Sequence, residues 1–273
     1  MTPRRRINYL HIFSEKVENF LSSPKVFIIS TLGAMLWFLP NLLIGYIVAQ
    51  GDPAGPKLSD KAGYNIFDNF ISDMGSLQYT PNTFFLDYGA MITAFLLIPI
   101  VYYIERKFAP LPRSLEEFQQ TSRWRIRLVT FGNFFMIVGI IGLFGIGFFS
   151  EDRSAWFKDE YGIEGLHGTF SAIVFGGLVV GGLILGFFII FYHNKFIHLI
   201  IRIPLGIWMM VVPLWCSINF LSYRYDLGID PPVPPSVSYW EWMMLFSIMA
   251  WLIPLGFLSI LEARRDIIRK RHH

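Results

Sequence analysis

The chain has 273 residues, of which 53% are hydrophobic, 17% are aromatic and only 16% are charged, with a formal net charge of +3. A soluble domain cannot bury that much apolar surface, and runs of about 20 apolar residues recur along the chain. The single cysteine, Cys216, excludes an internal disulfide and a cysteine-based zinc site. The composition therefore predicts a protein that crosses a membrane several times.

Six apolar runs are long enough to cross a hydrocarbon layer of about 30 Å as helices. In chain order they cover about residues 26–49, 83–104, 128–149, 167–192, 197–220 and 239–261. The first run is too long for the core of a signal peptide and has no small-residue cleavage site, so we expect it to be an uncleaved span. We predict an all-α integral membrane protein in which residues 1–273 form a single six-helix bundle.

Lysine and arginine are distributed unevenly between the two ends of this bundle. The end that carries both chain termini holds Arg4, Arg5, Arg6, Lys16, Lys25, Arg106, Lys107, Arg113, Arg123, Arg125, Arg127, Lys195, Arg202, Arg264, Arg265, Arg269, Lys270 and Arg271. The other end holds only Lys57, Lys61, Arg153, Lys158 and Arg224. Because cytoplasmic loops carry the excess of basic residues, we expect both termini to be cytoplasmic.

The stretch "YNIFDNFISDMG", residues 64–75, lies between the first two spans and separates its polar from its apolar residues. At 100° per residue one helical sector collects Asn65, Asp68, Asn69, Ser72 and Asp73. The opposite sector collects Ile66, Phe67, Phe70, Ile71 and Met74. Gly75 then follows as a natural helix stop. The pattern predicts a short extracytoplasmic amphipathic helix that lies along the outer interface.

Other polar residues fall at the same predicted depth, at the outer ends of the spans. They are Asp87 in the second span, His167 and Ser171 in the fourth, Asn219 in the fifth and Glu241 in the sixth. Charged groups within a span are costly and usually face the bundle with a partner, and we expect His167 to be the partner of Asp87. We therefore expect Asp73, Asp87 and His167 to meet in an outward-facing cavity. The structural alternative is that polar residues lie at the ends of the spans simply because those ends meet water.

Glycines are spaced for close helix contact in two of the spans. The third span carries Gly139, Gly142 and Gly145, and the fourth carries Gly177, Gly181, Gly182 and Gly186. Such small faces let two helices approach closely. They predict packing within one chain, with a homo-oligomer through these two spans as the alternative.

The run from Tyr64 to Tyr103 resembles the bacterial and archaeal membrane family called domain of unknown function 998. The matching positions are Asn69, Ile71, Ser72, Asp73, Met74, Gly75, Pro81, Asp87, Gly89 and, in "GLHGTFSAIVF", His167. Asparagine is frequent in that family where this chain has Asp87. The family is looser kin to the FRAG–DRAM–SFK membrane proteins, some of which are implicated in lipid-anchor remodelling, phosphoinositide organisation or autophagy. The resemblance implies a prokaryotic plasma membrane protein with a lipid-related role.

Two readings of the polar cluster stay open. In the first, lipid headgroups are bound or modified by the candidate catalytic residues Ser72, Asp73, Asp87 and His167, with Asn69, Ser171, Asn219 and Glu241 as ligand-binding residues. In the second, the protein is a non-catalytic scaffold whose polar cluster holds the helix ends together. One histidine on that face is too few for a zinc site of the ceramidase type, so we expect neither a metal nor another cofactor. We expect membrane lipids as partners and no nucleic acid.

Transport and haem binding are weaker alternatives. A carrier places polar groups at the bilayer midplane, often in repeated halves, and here they collect at one face without an evident repeat. Haem needs two axial ligands at one depth, whereas His193 and His198 fall on the side opposite to His167.

Overall fold

A computed structural model describes residues 9–51, 64–109, 116, 122–191, 199–225 and 236–271, with only the backbone described for residues 9–14, 199 and 270–271. Within these ranges the helices, in chain order, are α1 (Tyr9–Leu21), α2 (Pro24–Gln50), the 3-10 helix η1 (Ile71–Gly75), α3 (Phe84–Phe108), α4 (Arg123–Phe148), α5 (Glu151–Tyr161), α6 (Leu166–Phe191), α7 (Leu199–Tyr225) and α8 (Val237–Arg271). His193 and His198, considered above as haem ligands, lie outside the described residues.

Six of these helices, α2, α3, α4, α6, α7 and α8, are long and apolar enough to cross a membrane. This confirms the predicted six-span bundle. The largest difference in bounds concerns the last span, which continues past residue 261 to Arg271. At 1.5 Å per residue its 35 residues extend over about 52 Å, so α8 projects well beyond the hydrocarbon layer.

The spans form a closed ring in the order α2, α3, α4, α6, α7 and α8, and α8 returns to α2. The helix α6 also contacts α8 across the ring. Both α1 and the end of α8 lie at one end of this bundle, the terminal end. There the Tyr103 hydroxyl donates to Asp266 Oδ2 at 3.0 Å, Lys107 pairs with the same carboxylate, and Arg106 lies 3.0 Å from Glu18.

The most extensive helix contact, between α4 and α6, is built on glycine. A Cβ atom added to Gly142 would lie 2.3 Å from the Val174 amide nitrogen, and one added to Gly177 would lie 2.4 Å from the Gly139 nitrogen. At Gly145 the added atom would meet the ring of Phe170 at 2.0 Å. These faces are therefore occupied within the chain, and a homo-oligomer would need a different surface.

At the other end of the bundle, the η1 end, the segment 64–75 differs from the predicted amphipathic helix. The Asn65 side-chain oxygen accepts the amide protons of Phe67 at 3.0 Å and Asp68 at 3.1 Å, which produces a turn in place of an α-helix. Asn69 and Asp73 are buried, 3% and 6% exposed, whereas Phe67 is 48% exposed. The segment therefore forms a turn followed by the 3-10 helix η1, and the polar groups of Asn69 and Asp73 bond inward.

The helix α5 was not predicted and fills the connection between α4 and α6. Ser150 precedes it, Glu151 and Asp152 lie in its first turn, and Gly162 ends it in the left-handed region with φ of 68°. Acidic residues at a helix N-terminus and glycine just beyond the C-terminus are ordinary helix signals. They were overlooked because α5 is polar and lies between two apolar spans.

The glycine contact yields a first testable expectation. In Gly142→Ala the added methyl group collides with the α6 backbone, so the two helices must separate, and we expect a loss of about 1–3 kcal/mol. This outweighs the roughly 1 kcal/mol that alanine gains over glycine in a helix. The measurement is reversible unfolding in detergent micelles.

The matched control is Gly176→Ala on α6, because Gly176 is exposed and an added Cβ atom there meets nothing within 4 Å. It should be neutral or slightly stabilising. Equal effects of the two substitutions would contradict the glycine interface.

Candidate functional site

A small cavity lies at the η1 end, bounded by η1, α3, α4, α6 and α8. Five of the eight residues predicted as a site line it: Ser72, Asp87, His167, Ser171 and Glu241. The rest of the wall is mainly apolar and includes Leu86, Ala90, Ile146 and Phe175. Its volume of about 30 Å³, measured for the centre of a water molecule, has room for one or two waters.

The imidazole of His167 is held by α4. Its Nδ1 atom lies 2.8 Å from the carbonyl oxygen of Phe149, and its backbone amide donates to Ser154 Oγ at 3.3 Å. A carbonyl oxygen only accepts hydrogen bonds, so this contact assigns the ring proton to Nδ1. In the neutral ring Nε2 then carries an unprotonated lone pair. Nε2 is buried and has no hydrogen-bond partner among the described residues.

Asp87 is paired with Arg153 and not with His167, so the predicted Asp87–His167 partnership is wrong. The Asp87 side chain is 3% exposed, and its Oδ2 lies 3.4 Å from an Arg153 nitrogen. Arg153 also donates to the carbonyls of Gly147 and Phe148, each at 2.9 Å, at the C-terminus of α4. One guanidinium group thus caps a span and compensates a buried carboxylate, which would otherwise be costly.

Two glycines, Gly75 and Gly147, leave space for the carboxylate and the backbone of Asp87. A Cβ atom on Gly75 would lie 3.1 Å from Asp87 Oδ1, and one on Gly147 would lie 2.3 Å from the Asp87 carbonyl oxygen. Both contacts are close approaches that a larger residue would push apart. The glycine that ends η1 is therefore part of the packing around the carboxylate.

Glu241 and Asp73 bind the start of η1. Glu241 is 6% exposed, and its Oε2 accepts the Ile71 amide proton at 2.8 Å. Asp73 Oδ2 accepts the Phe70 amide proton at 2.9 Å and lies 3.3 Å from Asn69 Nδ2. Both carboxyl groups therefore satisfy amide protons that the first turn of a helix leaves unpaired. Asp73 is not among the residues that line the cavity, so the predicted trio is only partly assembled.

The first turn of α8 adds a second link to this segment. The Trp242 indole donates to the carbonyl oxygen of Asn69 at 3.0 Å, and Tyr64 donates to the carbonyl of Phe70 at 2.5 Å. Asn69 itself accepts the Asn65 amide proton at 3.1 Å. The predicted ligand-binding residue Asn69 thus bonds within the chain and does not line the cavity.

The remaining predicted residues differ in position. The Ser72 hydroxyl donates to Glu151 Oε1 at 3.2 Å, which connects η1 to α5 at the edge of the cavity. Ser171 lines the cavity from α6. Asn219 is buried on α7 and donates to the Trp215 carbonyl of its own helix at 2.8 Å, away from the cavity.

The sequence reading missed the contribution of α5. Glu151, Asp152 and Arg153 bind Ser72, Ser76 and Asp87, and Asp152 Oδ2 also accepts the Leu77 amide proton at 2.8 Å. The sequence signal was present, because three consecutive charged residues, "EDR", directly follow an apolar span. Within the described part of the chain, no group of three or more histidine, cysteine or acidic residues is placed to hold a metal ion.

Burial and, to a smaller extent, the nearby Glu151 carboxylate together raise the pKa of Asp73 to about 7, although hydrogen bonds from Asn69 and Phe70 act in the opposite direction. Burial also raises the pKa of Tyr64. The pKa of Asp73 in the folded protein lies above the ordinary value of 3.8 for a solvated carboxyl group, so the folded form binds more protons than the unfolded form between pH 3.8 and pH 7. Its contribution to stability is complete below about pH 4 and is lost as the pH rises through 7.

We therefore expect Asp73→Asn to flatten the pH dependence of stability. Wild type should lose up to about 1.4 kcal/mol per pH unit between pH 4 and 7 relative to the variant, since asparagine can accept the Phe70 amide proton but does not titrate. Unfolding in micelles over this pH range measures the difference.

The exposed Asp68 provides the matched control, and Asp68→Asn should keep the wild-type slope. Indistinguishable slopes for Asp73→Asn and wild type would show that Asp73 does not take up a proton on folding.

Comparison of the chain with protein-family models, with curated proteins and with solved structures yields no match. The family resemblance described above therefore stays a prediction.

Proposed function

We propose that this membrane protein binds and modifies lipid headgroups at the cavity of the η1 end. The observation that carries this proposal is the His167 ring, whose Nδ1 contacts the Phe149 carbonyl and whose buried Nε2 has no partner in the described residues. A neutral imidazole that lines a cavity of water size with its Nε2 atom buried is suited to take a proton from a water molecule.

The depth of the cavity favours lipid as the substrate. His167 is the second residue of α6, Asp87 the fourth of α3 and Glu241 the fifth of α8. Helices of 25 residues or more exceed a hydrocarbon layer of about 30 Å, so the first turns of these spans lie at headgroup level. A headgroup is too large for a cavity of about 30 Å³ and would meet the bound water at its mouth.

The neighbouring polar groups have supporting roles in this proposal. Arg153 pairs with the Asp87 carboxylate, so this carboxylate already has a partner beside the cavity. Glu151 accepts the hydrogen bond of Ser72, which leaves water as the nucleophile nearest to the free imidazole nitrogen. Ser171 and Glu241 complete the polar wall.

The alternative is a membrane scaffold whose polar cluster is structural. The specific observation in its favour is that the buried polar groups around η1 are mostly bonded to one another. Asp73, Glu241 and Trp242 all bond backbone groups of residues 69–71, and Asp152 bonds Ser76 and Leu77. Such bonds attach a connecting segment to the helix bundle, and this role requires no catalytic activity.

We further propose that the η1 end faces the outside of a prokaryotic cell and that both termini are cytoplasmic. The excess of basic residues at the terminal end supports this orientation.

The catalytic proposal is tested with His167→Ala and purified protein in vesicles of phosphatidylcholine, phosphatidylethanolamine and phosphatidylglycerol. Mass spectrometry should detect a lipid product with wild type, and loss of the general base should slow its formation by at least about 100-fold. Thr169→Ala, an exposed change on the same helix, should keep the wild-type rate.

Equal rates for wild type and His167→Ala would exclude His167 as the base. If wild type neither converts nor retains any of the three lipids, the lipid proposal fails and the scaffold alternative is favoured.

The orientation is tested by cysteine labelling. In a Cys216→Ser background, Glu160→Cys at the η1 end should react with a membrane-impermeant maleimide in intact cells, whereas Arg264→Cys should react only after permeabilisation. Both native side chains are exposed. The reverse pattern would invert the proposed topology.

A further inference from the structure

The outer surface of α5 carries a cluster of three aromatic rings. The Trp156 ring lies 5.0 Å from that of Phe157 and 5.5 Å from that of Tyr161, between ring centroids. Trp156 is 50% exposed and Tyr161 is 63% exposed. Phe157 is half-buried and makes an edge-to-face contact with Phe149 at 5.3 Å between ring centroids. The cluster is therefore attached to the bundle through Phe157, and the amphipathic rings of Trp156 and Tyr161 stay exposed.

The covalent connections of α5 determine its depth. Only Phe149 and Ser150 separate it from α4, and residues 162–165 separate it from α6. Because α4 and α6 are packed against each other through glycine, α5 cannot move away from their ends. These two helices of 26 residues are about 39 Å long, so each end extends about 4–5 Å past a hydrocarbon layer of about 30 Å. The helix α5 is thereby placed at headgroup depth.

The aromatic cluster continues a surface that faces lipid. On α4 the exposed side chains of Phe134, Ile141 and Phe148 have exposed fractions of 57%, 55% and 45%. Such apolar exposure on a membrane span is covered by hydrocarbon. Phe148 ends this surface, and Trp156 and Tyr161 follow on the next helix, where the aromatic belts of membrane proteins lie.

The charge of α5 indicates which kind of lipid headgroup this helix can contact. The helix carries four carboxylates against two cations in "EDRSAWFKDEY", and Lys158 is paired with Glu164 at 3.1 Å. Asp159 and Glu160 are exposed. This acidic surface repels anionic lipids, whereas Trp and Tyr bind zwitterionic headgroups without needing a net charge.

We infer that α5 is an interfacial anchor whose Trp156 and Tyr161 side chains insert into a zwitterionic headgroup layer. The inference does not depend on the proposed catalysis. It has a structural consequence, since Glu151 and Arg153 of the same helix bond Ser72 and Asp87. Insertion of α5 into the headgroup layer would therefore help to hold Ser72 and Asp87, which line the cavity, in place.

The test is fluorescence quenching in phosphatidylcholine nanodiscs. The difference between wild type and Trp156→Phe isolates the emission of Trp156 among the eight tryptophans. This emission should be quenched at least twofold more by lipids brominated near the headgroup than by lipids brominated near the acyl-chain ends. Replacing most of the phosphatidylcholine with phosphatidylglycerol should weaken the quenching.

Two tryptophans serve as matched controls. Trp215, 53% exposed near the middle of α7, should be quenched more by the deep bromines, and the fully buried Trp251 should respond weakly to both. Emission of Trp156 that is quenched by aqueous iodide and by neither brominated lipid would overturn the inference. That result would leave the lipid-processing assay on His167 unaffected, so the two proposals fail separately.

Discussion

The close contact between α4 and α6 is the constraint on which the η1 end depends. The glycines of both helices let the two backbones approach to a distance at which an added methyl group has no room. That approach brings the end of α4 beside the first turn of α6, where the Phe149 carbonyl reaches the His167 ring. A larger residue in this interface would separate the helices and release the ring from the contact that assigns its proton. The position of the His167 ring at the cavity is thus a consequence of helix packing in the membrane.

The polar side chains at the η1 end bond backbone groups that the ends of helices leave unpaired. These bonds explain how a buried acidic cluster is tolerated there. Glu241 and Asp73 accept amide protons at the start of η1, and Arg153 donates to the last carbonyls of α4 while it pairs with Asp87. Each ionisable group satisfies a helix end that would otherwise meet an apolar environment. The described parts of the connections at this end, residues 64–83 and 149–165, are therefore held by hydrogen bonds as well as by apolar packing.

The six spans could be predicted because each carries its own signal, a run of about 20 apolar residues. The site was predictable only in part. Asp87, His167, Ser171, Glu241 and Ser72 were recognised as polar residues at one depth, and they line one cavity. Their partners could not be deduced, since Arg153 reaches Asp87 across 66 positions and His167 bonds a backbone carbonyl, which has no sequence signature. The helical pattern of residues 64–75 gave a wrong prediction because the side chains of Asn65 and Asp73 accept backbone amide protons in place of the helical carbonyls and favour a turn.

The orphaned Nε2 of His167 separates the two readings of this cluster. In a purely structural network every buried polar atom is expected to have a partner, since an unsatisfied one costs about 1–3 kcal/mol. Of the buried polar atoms without a partner in the described part of the chain, only Nε2 of His167 belongs to a residue that lines the cavity; the others lie on Arg106, Asn133, Arg202, Trp240 and Trp251. A base that must exchange a proton with water at the headgroup layer does need a free nitrogen. The two proposals therefore differ in the role of this one side chain, which the lipid-processing proposal uses as a base and the scaffold alternative does not use.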